Sequence, residues 1–316
     1  MIDQFVEALR SMPPLPKRHY SWPLQRSVLM DPANAQLLRE YARVTGALTI
    51  WGEGTPKEAL LYALAICKET GAALAFAFNA WIRKFPEDAP ATYRGPQWLE
   101  EIKYLQDRLS ELKSWLGGDA AYVKAIIINC ERFFVDPKTP SLNPAIYALH
   151  QTFADLCEHH FPDARREWYN MIPGNIFVSA DHGEGYSVPL YDCSRLDYER
   201  KLFQAAAQSA AGDGKRTVTP WVAMGAEYRW FDPPVNGKVK KWDNANLYDS
   251  KFAFQLGAMI NRPEFFHPEI FAPYKVAEVA VLYPQPFAPE VPDHNWGKCF
   301  LAYCCGANGR EMLVFE

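Results

Sequence analysis

No run of eighteen apolar residues occurs anywhere in the 316-residue chain, so nothing in it reads as a membrane-spanning helix. CxxC, HxH and HExxH are all missing, which removes the commonest dithiol and zinc signatures. There is no GxSxG elbow, which argues against a serine hydrolase. The glycine-dense stretch "WGEGTP" (51–56) has neither GxGxxG spacing nor a Walker lysine, which argues against a nucleotide site. Excess charge of one sign is also lacking. The formal net charge is -4, so no general affinity for nucleic acid or anionic membrane is expected. The opening "MIDQFVEALRSMPPLPKRHY" has no basic start followed by an apolar run. It reads as a short amphipathic helix and then proline-rich chain.

The seven cysteines are odd in number. Cys67 falls in a helical pattern and Cys130 at a strand end, both ordinary places for buried thiols. This usage favours a reduced, cytoplasmic compartment, with a mature secreted form as the alternative. Vicinal Cys304 and Cys305 read as core or loop filling, with a redox or metal feature as the alternative. What the chain has in quantity is aromatic: 14% of residues, including 10 Trp and 16 Tyr. Trp and Tyr carry a polar handle that wants a partner, so many belong at surfaces and clefts. With 49% hydrophobic and 22% charged residues, the composition is that of a packed globular protein.

Hydrophobic period gives an alternation of helices and strands. Helices are expected at 31–46, where Asp31 caps, Pro32 starts and Gly46 stops, at 55–71 with the same signals, and at 96–118, 143–161, 195–212 and 247–260. Strands are expected at 47–53, 72–79, 124–131, 166–170, 186–192, 217–225 and 276–284, with a hairpin excursion at 175–180. An eighth strand is expected within "RHYSWPLQRSVLM" (18–30). Such alternation predicts parallel sheet. Eight β/α units over about 250 residues is the usual size of a TIM barrel, a (β/α)8 α/β fold. A doubly wound open sheet is the alternative, and it would favour the phosphate turn that is missing. The expected organisation is one domain, 1–316, with its barrel at 18–284. An aromatic, proline-rich extension at 285–316 then packs on the barrel through the strand-like pieces "FLAYCCG" and "EMLVFE".

In such a barrel chemistry belongs at the carboxyl ends of the strands. In chain order those ends carry Trp51 and Glu53, Asn79 and Trp81, Asn129, Glu131 and Arg132, Trp168, Tyr169 and Asn170, Tyr191 and Asp192, Glu227 and Trp230, and finally Tyr283. This mixture of carboxylates, amides and flat aromatics suits carbohydrate. Sugar rings stack their C–H faces on Trp and Tyr, and their hydroxyls pair with Asn, Asp, Glu and Arg. Cleaving a glycosidic bond needs two flanking carboxyl groups, and Glu131 and Glu227 are the best pair. Phe133 and Phe134 would raise the Glu131 pKa, as an acid needs, whereas Arg132 would keep it ionised, as a nucleophile needs.

"INCER" and "WVAMGAEYRW", with the strand order, resemble the clan of retaining glycosidases built on TIM barrels. The resemblance covers roughly residues 18–284. It implies an acid/base Glu ending the fourth strand, here Glu131, and a nucleophile Glu ending the seventh, here Glu227. The clan usually has Asn directly before its acid/base; here Cys130 intervenes and Asn129 stands two residues back. Glu227 lies two residues beyond Gly225, past the expected strand. Two other readings stand beside a glycosidase acting on poly- or oligosaccharide. One is a non-catalytic carbohydrate-binding barrel. The other is a metal-dependent hydrolase using Asp181, His182 and Glu184. The glycosidase needs no cofactor and no metal. His159 and His160 complement a helix end.

Overall fold

The computed structural model describes residues 2–16, 18–20, 23–79, 89–90, 92–129, 144–169, 185–190, 217–222, 252, 256–257, 259–260, 301–304 and 312–315. Helix α1 (Ile2–Ser11) precedes a four-residue turn of helix, α2 (Arg26–Leu29), and a 3-10 turn, Pro32–Asn34. Then α3 (Ala35–Thr45), β1 (Ala47–Trp51), α4 (Lys57–Thr70), β2 (Ala73–Asn79), α5 (Pro96–Leu116), β3 (Val123–Asn129), α6 (Pro144–His160) and β4 (Arg165–Tyr169) alternate without exception. Strands β5 (Gly185–Leu190) and β6 (Thr217–Val222) follow, and β7 (Leu301–Cys304) pairs antiparallel with β8 (Met312–Phe315) as a separate two-stranded sheet.

The expected helix signals operate locally. Asp31 accepts a hydrogen bond from the Ala33 amide at 3.0 Å, and Gly46 and Gly71 end α3 and α4 in the left-handed conformation. At the start of α4 the expectation is corrected. Pro56 itself is the N-cap, no side chain caps the helix, and Thr55 lies buried in the preceding turn. Helix α5 stops at Leu116, two residues short, and tightens into a 3-10 turn over Gly117–Tyr122.

The six strands β1 to β6 form one parallel sheet in chain order. Such neighbour-to-neighbour order is what right-handed β/α crossovers produce when each returns beside the last strand. The strand expected in 18–30 is reduced. His19 and Leu24 donate to the carbonyls of Thr45 and Thr49, both at 2.8 Å, and Leu24 forms an isolated parallel bridge with Ile50. The spacing between these two contacts is uneven, five residues against four, and Ser21 and Trp22 lie outside the described residues. The strand expected at 276–284, the hairpin at 175–180 and the helix at 195–212 lie outside the described residues.

Both faces of β1–β3 are buried, as the unbroken Ile126–Ile127–Ile128 run requires. The outer face is large. Leu48, Ile50, Leu74, Phe76, Phe78, Ile126 and Ile128 pack against α3, α4, α5 and α6. The inner face is small: Ala47, Ala73, Ala75, Ala77 and Ala125 with Ile127. Large side chains of the outer face contribute about 1.5–3 kcal/mol each when fully buried. Phe252, Leu256 and Met259 are helical and join the same outer core, with the Phe252 ring edge-on to Tyr41 of α3 at 5.1 Å. The chain beyond β6 therefore returns to the helix that precedes β1.

Candidate functional site

The carboxyl ends of the strands line up by register. Asn79 of β2 pairs with Asn129 of β3, which pairs with Tyr169 of β4, and Trp168 stands beside Ile128 one row below. Three residues expected to meet a ligand thus share one row at the rim. At the end of β1, Trp51 packs partly buried on the alanines of the inner face. Glu131, Arg132, Trp81, Asn170, Tyr191, Asp192, Glu227, Trp230, Tyr283 and the 181–184 loop lie outside the described residues.

Deeper on the inner face the side chains become polar. Glu167 of β4, level with Ile127, is wholly buried and ion-paired to Arg165 at 3.2 Å. Tyr20, from the segment before the Leu24 bridge, enters the same alanine cluster. Burial pushes its phenol up to about 12, helped by the Glu167 carboxylate and opposed by Arg165 and Arg18. Beside it, burial lowers His19 to about 3, so its ring is neutral. Sequence reasoning missed this carboxylate because it stopped at the strand-end aromatics. The i, i+2 alternation of Arg165 and Glu167 was the available signal.

The turn after β1 forms part of the rim. Trp51 and Glu53 flank Gly52, whose amide donates to the Ala77 carbonyl at 2.7 Å. A Cβ on Gly52 would lie 2.3 Å from the Phe78 ring, so only glycine fits. Gly54 turns the chain at φ +68°. Arg108 of α5 donates from Nε to the Gly52 carbonyl at 2.6 Å and from Nη2 to the Thr55 carbonyl at 2.5 Å. The third guanidinium nitrogen pairs with Glu111, and the cation lies over Trp115 at 4.9 Å. Half-buried Glu53 lies near Tyr104 of the same helix. Burial, then the Glu53 charge, raises the Tyr104 pKa.

His159 and His160 end α6 with ring centroids 5.2 Å apart. Burial and then the His159 and Lys113 charges lower the His160 pKa, so this residue favours its neutral form rather than acting as a dipole-complementing cation. Cys67 is a buried free thiol whose Sγ lies 3.3 Å from the Ala73 carbonyl, and burial raises its pKa to about 12. Among the described residues no three His, Cys, Asp or Glu side chains cluster to hold a metal ion, and no helix is long and apolar enough to cross a membrane.

No family model and no curated protein matches the chain. Solved structures similar to it include an exo-β-1,4-mannosidase from Opitutaceae bacterium strain TAV5, at 10% identity and a TM-score of 0.43 over 64% of this chain. That match spans 44% of the mannosidase's own length. A GH10 endoxylanase from a sugarcane soil metagenome is similar at 15% identity and a TM-score of 0.42, over 69% of this chain and 68% of that one. D-psicose 3-epimerase from Clostridium cellulolyticum H10 is similar at 9% identity and a TM-score of 0.39, over 77% of this chain and 99% of that one. At these identities and scores, both the closure of the sheet and the activity have to be argued from the chain's own residues.

Proposed function

We propose that the chain is a glycoside hydrolase on a (β/α)8 barrel, cleaving a poly- or oligosaccharide with Glu131 as acid/base and Glu227 as nucleophile. The observation that carries this reading is strand order. With the Leu24 bridge counted as the first strand, β3 is the fourth and β6 the seventh. Glu131 follows the last residue of β3 by two positions and Glu227 follows that of β6 by five. The strand-end row of Asn79, Asn129 and Tyr169, with Trp51 level with Ala77 in the neighbouring strand, brings together residue types that pair with sugar hydroxyls or stack on a sugar ring, which supports the reading.

In the proposed reaction Glu227 attacks the anomeric carbon while Glu131 gives its proton to the departing glycosidic oxygen. Glu131, now a carboxylate, takes a proton from water, and that water releases the sugar from Glu227. Carboxyl groups about 5 Å apart fit this retaining course, and roughly 6.5–9.5 Å an inverting one. The test is Glu131→Gln and Glu227→Gln, assayed on soluble xylan and mannan and on dinitrophenyl glycosides, whose leaving group needs no proton. Each variant should lose about 10³-fold on polysaccharide. Glu131→Gln should keep formation of the glycosyl-enzyme from the dinitrophenyl substrate, and Glu227→Gln should not. Full polysaccharide activity in either variant would overturn the assignment. Activity abolished by chelator and restored by a divalent cation would move it to the 181–184 loop.

A further inference from the structure

We propose that Arg108, on the outer helix layer, is the positioning residue for the turn that presents Trp51 and Glu53 at the rim. The inference rests on the carbohydrate reading of that rim. Its structural ground is separate. Glu101, Tyr104, Arg108 and Trp115 recur at i, i+3, i+7 and i+14 along α5 and so form one stripe. Two features of that stripe bear on the turn. Tyr104 lies near Glu53, and Arg108 grips the turn at both ends through the Gly52 and Thr55 carbonyls. The Arg108 side chain is 10% exposed, so these charge-assisted bonds are made largely out of water.

The guanidinium fork suits this task. Two carbonyls three residues apart are bridged by two nitrogens of one rigid plane, while Glu111 takes the third and Trp115 supports the cation from below. A lysine has the charge but offers one point, so it cannot hold both carbonyls at once. From within the sheet, the Gly52 amide on Ala77 and the Phe78 ring fix the near side of the turn. Arg108 fixes the far side. With that second hold removed, the turn loses its setting, and the Trp51 ring and the Glu53 carboxylate at its start lose theirs with it.

The experiment compares native protein with Arg108→Gln, Arg108→Lys and Trp51→Ala, and with the double variant Arg108→Gln/Trp51→Ala. Hydrogen exchange at the amides of residues 53–55, read without any saccharide, should quicken in both Arg108 variants while the β2 amides stay protected. Affinity for xylohexaose and mannohexaose should fall by about tenfold in Arg108→Gln, the scale of a lost charge-assisted hydrogen bond. Lysine should not rescue it. In the Trp51→Ala background the same substitution should cost little, because both act through one turn. Unchanged exchange at 53–55 would overturn the proposal whether or not any probe binds. So would losses that simply add in the double variant, or a loss that merely tracks a lowered urea midpoint. Native protein that binds neither hexasaccharide, with exchange at 53–55 responding as expected, would overturn the carbohydrate reading and leave Arg108's hold on the turn standing.

Discussion

His19, buried in the segment that runs beside the start of β1, has its pKa lowered by burial to about 3, against 6.5 when the chain is unfolded. As pH falls, the unfolded chain therefore takes up this proton first. The stability His19 contributes is whole above about pH 6.5 and drains away as pH drops toward 3. Urea midpoints should decline between pH 7 and pH 5, and His19→Gln should flatten that slope. An equal slope in the variant would show that His19 is not the group responsible. At this scale the sequence was uneven. The buried thiol Cys67 was legible from its helical apolar position, whereas Glu167 was not. The alternation of Arg165 and Glu167 puts both on one face, but that this face is buried depends on pairing with β3, whose Ile127, forty residues earlier, is level with Glu167.

Among elements, the turn between β1 and α4 shows how two glycines in four residues do different work. Gly52→Ala drives a methyl into the Phe78 ring and should cost about 1–3 kcal/mol by overpacking. Gly54 has open space around it and only a left-handed backbone to satisfy, so Gly54→Ala should cost about 1 kcal/mol and Gly54→Asn less. Chemical denaturation of the three variants checks the order, and a Gly52→Ala as mild as Gly54→Ala would contradict it. The same stretch, "WGEGTP", was informative in sequence mainly for what it failed to be, a phosphate loop. Its actual role was hidden because the residue that holds it, Arg108, lies 56 positions from Gly52, in a separate helix. Strands and helices from 35 to 169 were legible because period and caps agree there. The first strand, expected within 18–30, is met among the described residues by the Leu24 bridge to Ile50.

For the whole molecule, the return of the chain after β6 to α3 bears most on whether the sheet closes. Phe252 and Tyr41 meet edge-to-face at 84°, both fully buried. Phe252→Ala should lower stability by about 3–5 kcal/mol, within a single urea transition read by fluorescence. An unchanged midpoint would mean that the late helix is not part of the cooperative unit. The chain order of the parallel strands was legible from alternation alone. The small inner lining beside a large outer one was less so, since it appears only when β1, β2 and β3 are compared in register. That lining has a consequence for how the protein forms. "AALAFAF" (72–78) holds four alanines, the strongest intrinsic helix formers, in a segment that ends as an interior strand between β1 and β3. Its own preference and its final state disagree, so β2 becomes a strand only when β1 and β3 present their edges to it. A local preference for helix thus has to be overridden by tertiary pairing at this point of the sheet.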